Sequence, residues 1–297
     1  MQVRTAHPSD RDAIEALLDR RQRTDGHPAV SEHKAIRLLS PEQIGRVAIE
    51  DGAGEPGVVG YAVANRHPPA AGLPNGHWAV ELVAEPDHDE EVAIVRLLAD
   101  TMADGIRDDA PLTLWVWRRA ETAAVSPRRL TRRRILAEMA RQLPVGVEWS
   151  LPDGIELRTF RPEYGPAWLE ANNAAFAGHP ENGALDEDNL ARRLQQRWFD
   201  PEGFLLAWEG EELVGFCWTK VHDATRGEIY IIGIVPGAQG KGLGRALLLA
   251  GLADLHQRRG VTEVVLYTDA DDDRAVTMYR SLGFDTIRML EELVLRP

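Results

Sequence analysis

The run Gly233-Ile234-Val235-Pro236-Gly237-Ala238-Gln239-Gly240-Lys241-Gly242-Leu243-Gly244-Arg245-Ala246-Leu247 decides how this 297-residue chain is read. A β-branched strand ends at Pro236, glycine recurs through the loop, and an apolar amphipathic helix begins at once. Glycines let successive backbone N–H groups point into one concavity, and the helix N-terminus adds about half a positive charge. That combination is an anion site suited to a diphosphate. A P-loop needs Ser or Thr after Gly-Lys to ligate magnesium, but here Gly242 follows Lys241. A dinucleotide-binding fingerprint follows the first strand of a βαβ unit, with an acid about 20 residues later. This loop follows a meander and comes late in its domain, so that reading fits poorly. The bland alternative is a glycine-rich turn that only caps a helix.

Working outward, the segment from Leu143 to Gly154 carries two prolines and two glycines and reads as a linker. It separates residues 1–145 from residues 154–297. The second half opens with a strand at Ile155–Arg161 and a helix over Ala167–Phe176. Strands follow at Phe204–Glu209, Leu213–Val221 and Glu228–Val235, then the loop and a helix reaching Arg259. A strand at Val264–Thr268, a helix over Asp273–Leu282 and a strand at Thr286–Leu295 complete it. The first half repeats this order. It has Gln2–Arg4, a helix from Ser9 to Arg23, strands at Arg46–Glu50, Val58–Asn65 and Trp78–Ala84, a helix at Glu90–Arg107 and a strand at Leu112–Trp117. Meandering strands followed by alternation with helices predict an α/β protein, a mixed sheet with helices on both faces. The shared order points to a duplicated domain.

The formal net charge is −13, from 47 acids and 34 bases, so the surface repels phosphate backbones and a nucleic acid partner is not expected. The arginines between Arg118 and Arg134 are a local exception, read as a solvated helix face. Cys217 is the only cysteine, which excludes an internal disulfide and suits a reducing cytoplasm; within Val214-Gly215-Phe216-Cys217-Trp218 it reads as a packed strand residue. No stretch of 18 apolar residues occurs, and charges at Arg4, Asp10, Arg11 and Asp12 interrupt any apolar leader. A soluble monomer without a membrane partner is expected. His77 and His88 lack metal-ligand spacing, and no metal is expected.

The pattern Gln239-x-x-Gly242-x-Gly244 after a strand ending in Val-Pro resembles the acetyl-CoA pyrophosphate loop of the GNAT acyltransferases. Glu263-Val264-Val265-Leu266-Tyr267, the helix bearing Ala275 and Tyr279, and Ser281-Leu282-Gly283-Phe284 resemble that family's closing elements. The runs Asn172 to Gly183, Arg197-Trp198-Phe199-Asp200-Pro201-Glu202-Gly203 and Gly215 to His222, with Gly227-Glu228-Ile229-Tyr230, are similar to the mycothiol synthase family. That family has two tandem GNAT domains and acetylates the cysteinyl amine of Cys-GlcN-inositol. The resemblance covers the whole chain, dense in the second half and thin in the first.

The resemblance implies a role for each matching residue. Backbone groups of Ile232, Gly233 and Ile234 hold the acetyl-pantetheine arm, and Gln239, Gly240, Lys241, Gly242, Leu243, Gly244 and Arg245 hold the pyrophosphate. Asp272, Asp273, Arg274, Ala275, Val276 and Thr277 complete the acetyl-CoA site. Glu32, Glu181, Lys220, Glu228 and Tyr267 contact the acceptor, with Glu228 as general base and Tyr279 as general acid. Leu82, Val83 and Ala84 are a possible second acetyl-CoA site.

Independent chemistry agrees in outline. An ammonium must lose a proton before its nitrogen attacks a thioester, and a carboxylate at a buried strand edge can accept it. A phenol can protonate the departing thiolate, and a strand N–H left unpaired at a bulge can meet the developing oxyanion. Without the family, Glu228 also reads as a solvated strand-end acid and Tyr279 as a packing residue.

The chain departs from the family in places. Asp272 stands where an Asn is usual, and Cys217 where His is common. Asp269-Ala270-Asp271-Asp272-Asp273 is spaced like a calcium loop, but Arg274 and Arg280 occupy its sixth and twelfth positions, so ligation fails. At the first half's counterpart of the glycine loop the chain reads Glu85-Pro86-Asp87-His88-Asp89-Glu90-Glu91-Val92, with no glycine and many acids. An acetyltransferase for another amine, such as an aminoglycoside or a peptide N-terminus, and a non-enzymatic acyl-CoA sensor stand as alternatives.

Overall fold

The computed structural model describes residues 1–50, 57–69, 73, 75–106, 110–116, 130–179 and 182–295. The chain divides into two compact units, Met1–Arg134 with Leu290–Pro297, and Ile135–Met289.

In the first unit β1 (Gln2–Thr5), β2 (Gln43–Glu50), β3 (Gly57–His67) and β4 (His77–Ala84) pair antiparallel in that order, and β5 (Leu112–Val116) joins β4 in parallel. Alternation sorts each strand's side chains between two helices. Ile14 and Leu17 of helix Arg11–Asp25 pack on Val47, Tyr61, Val63 and Val83. On the other face Ile94, Leu98 and Met102 of helix Glu91–Gly105 pack on Ala62, Leu82 and Leu114.

The second unit contains the strands β7 (Ile155–Thr159), β8 (Phe204–Glu209), β9 (Glu212–Val221), β10 (Arg226–Ile234) and β11 (Glu263–Asp269), after β6 (Leu130–Gln142) and before β12 (Asp285–Leu295). β7 to β10 form an antiparallel meander, and β11 joins β10 in parallel. Helix Leu243–Ala253 buries Leu247, Leu248 and Leu252 on one face of this sheet. Helices Gly165–Ala175 and Glu187–Leu194 cover the other. There Phe204 stacks on Trp218 at 4.0 Å and Trp168 meets Trp218 edge-on at 5.6 Å. Such pairs contribute roughly 0.5–1.5 kcal/mol each beyond their burial. This aromatic block backs the part of β9 and β10 that carries the site.

Two expectations differ from what is found. The arginine-rich run is a strand rather than a helix face where it is described: Arg132, Arg133 and Arg134 lie on β6, while Arg118 lies outside the described residues. Period-2 alternation explains this, with Ala137 and Met139 buried on one side and Glu138 fully buried on the other. The units also do not divide at the 143–154 linker. Leu136–Gln142, from the first half of the sequence, pairs with β11. Glu291–Leu295, from the second half, pairs with β5. Each unit is therefore completed by a strand from the other half of the chain. Strand pairing is non-local, so Pro and Gly content cannot reveal it.

Candidate active site

The parallel ladder between β10 and β11 ends at Glu228 opposite Val265, while β10 runs on to Ile234. The two strands part there, and the carboxyl-end fork bounded by Ile232, Gly233 and Ile234 leads to the glycine loop. Gly233 is needed on this strand because a Cβ would stand 2.5 Å from the Phe216 ring. On its β9 side the ladder skips Tyr230, a bulge between Ile229 and Ile231.

Past the short turn Pro236–Ala238, Gly240 and Gly242 take φ of +80° and +84°, the left-handed region that side chains avoid. Gly242 caps helix Leu243–Ala253, and the space beside both glycines is open. Gln239 donates to the Ile234 carbonyl (3.1 Å) and accepts from Arg274 (3.3 Å), joining the loop to the first turn of helix Asp273–Ser281. Arg245 donates to Ser281 of the same helix (2.9 Å). Asp272 caps that helix, its Oδ1 accepting from the Ala275 N–H (3.0 Å). The capping that an Asn would provide is thus kept. Asp273 and Thr277 are exposed, and Val276 is buried.

Lys220, Glu228 and Tyr267 come together on one face of the sheet. Glu228 faces Lys220 across the β9–β10 ladder and Val265 across the β10–β11 ladder, two residues before Tyr267. The Lys220 ammonium lies 4.8 Å from the Trp198 ring centre and 5.5 Å from that of Tyr230, a cation–π seat. Glu228 is buried, with Oε2 2.8 Å from Nε2 of His222. Burial pulls its carboxyl upward, but the His222 hydrogen bond and the charges of Lys220, His222 and Arg226 outweigh it and hold it below the usual carboxylate range. Burial, then the carboxylates of Glu228 and Glu138, push the Tyr267 phenol above its ordinary value.

Tyr279 stands on the opposite face, in the cluster of Leu247, Cys217 and Phe284, with its ring 5.9 Å from that of Phe284. Burial, then Cys217 and Asp272, raise its phenol, so it keeps its proton. Glu228 and Tyr279 thus lie on opposite faces of the sheet. Cys217 is a packed strand residue: fully buried, its Sγ fits against Gly251, where a Cβ would stand 2.6 Å away, and burial raises its thiol.

Several neighbours are not legible in the sequence. Glu138 is fully buried between Arg226 (3.1 Å) and Arg288 (3.4 Å), beside Tyr267 in the β6–β11 register. His222, Trp198 and Tyr230 stand out there only as family pattern. Helix Glu187–Leu194 is a further addition, although Asp186 accepting from the Asn189 N–H (2.8 Å) is a cap readable in sequence. Glu181 lies outside the described residues. Glu32 opens a one-turn helix, Glu32–Ala35, in the first unit. Leu82, Val83 and Ala84, all buried, end β4 in that unit.

The sequence profile of the Acetyltransferase (GNAT) family matches residues 165–284. A mycothiol acetyltransferase of Streptomyces scabiei is 39% identical over 286 residues, spanning 94% of this chain and 89% of that protein. Another, from Acidothermus cellulolyticus, is 38% identical over 294 residues, spanning 91% and 86%. The chain belongs to the mycothiol acetyltransferase family. As a mycothiol acetyltransferase family member it is an acyltransferase enzyme. A GCN5-related N-acetyltransferase from Sphaerobacter thermophilus superposes with a TM-score of 0.67 at 23% identity, over 100% of this chain and 96% of its own. A tandem GNAT protein from the clavulanic acid biosynthesis pathway gives 0.67 at 15% identity, over 99% and 97%. The fold is that of two tandem GNAT domains. GNAT acetyltransferases draw on acetyl-CoA, and the open left-handed glycines at a helix N-terminus fit its diphosphate.

Proposed function

We propose that this protein transfers the acetyl group of acetyl-CoA to the cysteinyl amine of Cys-GlcN-inositol, giving mycothiol. The observation that carries the reading is the buried, ionised Glu228 at the mouth of the β10–β11 fork, opposite Lys220 and bonded to His222.

Backbone groups of Ile232, Gly233 and Ile234 hold the pantetheine arm, and residues 239–245 with the first turn of helix Asp273–Ser281 hold the phosphates. Acetyl-CoA supplies an activated thioester when bound there. Glu228 accepts a proton from the acceptor ammonium, freeing the nitrogen lone pair for the carbonyl carbon. The bulge at Tyr230 interrupts the β9–β10 ladder, and a backbone N–H released there would meet the charge that develops on the carbonyl oxygen. Collapse of the tetrahedral adduct breaks the C–S bond; Tyr279, protonated, donates its phenolic proton to the departing sulfur, and the second proton lost by the acceptor nitrogen restores the phenol through solvent. Lys220 and Tyr267 line the acceptor side, and Trp198 and Tyr230 fix the Lys220 ammonium.

The test is incubation of the full chain with Cys-GlcN-inositol and acetyl-CoA, followed by mass detection of the acetylated product. A parallel screen reads thiol release with aminoglycosides and peptide N-termini. Turnover of those acceptors with none of Cys-GlcN-inositol would overturn the assignment.

A further inference from the structure

His222 follows the last residue of β9, and a tight hairpin fixes it. Its N–H donates to the Arg226 carbonyl (2.9 Å). Asp223 Oδ1 accepts from the N–H groups of Thr225 and Arg226 and from the Thr225 hydroxyl, all within 2.9 Å. A loop tied this firmly fixes the His222 backbone, and the contact with Glu228 orients its ring. Nε2 lies 2.8 Å from Glu228 Oε2, and the His222 side chain is 21% exposed against 10% for Glu228. The pair therefore runs from a buried carboxylate to solvent.

We propose that His222 is the positioning residue of the base: Nε2–H locks Oε2 of Glu228, turning Oε1 to the acceptor amine, and the charge on the imidazole sets how readily that carboxylate takes a proton. This rests on the reading of Glu228 as general base. A carboxylate and a ring nitrogen 2.8 Å apart need a proton between them, so Nε2 carries it whether the ring is neutral or charged. The geometry persists in both states, and only the charge changes. Imidazolium beside Glu228 adds a third cation to Lys220 and Arg226 and weakens the base; neutral imidazole keeps the hydrogen bond and releases that restraint.

The remaining charged and titratable neighbours come from every strand around the pair. They are Asp223 in the hairpin, Glu263 and Tyr267 on β11, Glu138 on β6 and Arg288 on β12. Glu138 and Glu263 are both held by Arg226, and Glu138 also by Arg288. Histidine is the group among these whose ordinary titration falls between pH 5 and 8.

Two variants test this. His222→Gln can still offer an N–H to Oε2 but cannot charge, and His222→Phe removes the donor. The ratio of wild-type to His222→Gln kcat/KM for the acceptor cancels the acceptor amine's own titration. It is expected to fall on the order of tenfold from pH 8 to pH 5.5. His222→Phe should lose about 10- to 100-fold in kcat across that range with acetyl-CoA affinity intact. A ratio constant with pH overturns the proposal, as does a His222→Phe rate equal to wild type. Should His222→Phe fail to fold, the His222→Gln ratio alone decides. Glu228→Gln measured alongside separates the two readings: an unimpaired Glu228→Gln removes the base itself, whereas an impaired one beside a constant His222→Gln ratio removes only His222.

Discussion

Glu228 shows what a residue gains from its surroundings. Buried alone, a carboxyl would rise in pKa and lose its charge; the His222 hydrogen bond and the charges around it outweigh burial and hold it below the usual carboxylate range, ready to accept a proton. Glu228→Gln keeps the shape and removes the basic oxygen. We expect kcat to fall roughly 100- to 10,000-fold with acetyl-CoA affinity nearly unchanged; equal rates across pH would exclude it from the mechanism. Tyr279→Phe removes one hydroxyl from a ring that remains packed against Phe284, so single-turnover rates should drop while the melting temperature barely moves. Wild-type single-turnover rates would make Tyr279 a packing residue. Family pattern singles out both in sequence, Glu228 on a strand and Tyr279 on a helix. The contacts that tune them are not legible there, because His222 reaches Glu228 through a hairpin and Glu138 arrives from a strand 88 residues away from Arg226 in sequence.

Elements are legible where the signal is local. Glycines at left-handed positions, the apolar helix after them and period-2 strands in the second half all arise from backbone constraints within a few residues. β6 is not. Three consecutive arginines look solvated until the acids they serve are located, and Arg133 pairs with the buried Glu292 of β12. Gly242→Asp tests the loop as an element. At φ of +84° a side chain is strained by about 1–2 kcal/mol, yet the space beside it is open, so the domain should still fold. The added charge sits at the helix N-terminus where the diphosphate would lie, and calorimetry should register no acetyl-CoA binding. Affinity within twofold of wild type would mean that the phosphates bind elsewhere.

At the scale of the molecule, the two units share a plan but not its chemistry. In the first unit the β4–β5 ladder ends at Val80 opposite Leu114 while β4 runs on through Leu82, Val83 and Ala84, the same parting of strands as between β10 and β11. The loops beyond the two forks differ. The one after β4 has no glycine, and Asp87 rather than glycine takes its left-handed turn, with φ of +59°. The nearby cations are already engaged: Arg20 grips Glu85 with two bonds of 2.7 and 2.6 Å, and Arg21 holds Glu91 at 2.7 Å. A diphosphate would lack the converging N–H groups of a glycine loop, would compete with Glu85 and Glu91 for these arginines, and would meet the charges of Asp87, Asp89 and Glu90. Charge-assisted hydrogen bonds contribute about 1.5–3 kcal/mol each, and about 1.4 kcal/mol is a decade of affinity, so losing a few costs several decades. The first unit should therefore be catalytically silent and bind acetyl-CoA weakly or not at all. Calorimetric titration of the intact protein should give a single tight site, abolished by Gly242→Asp. Two tight sites of similar affinity would overturn the electrostatic argument, because binding at β4 would then proceed without an anion cradle.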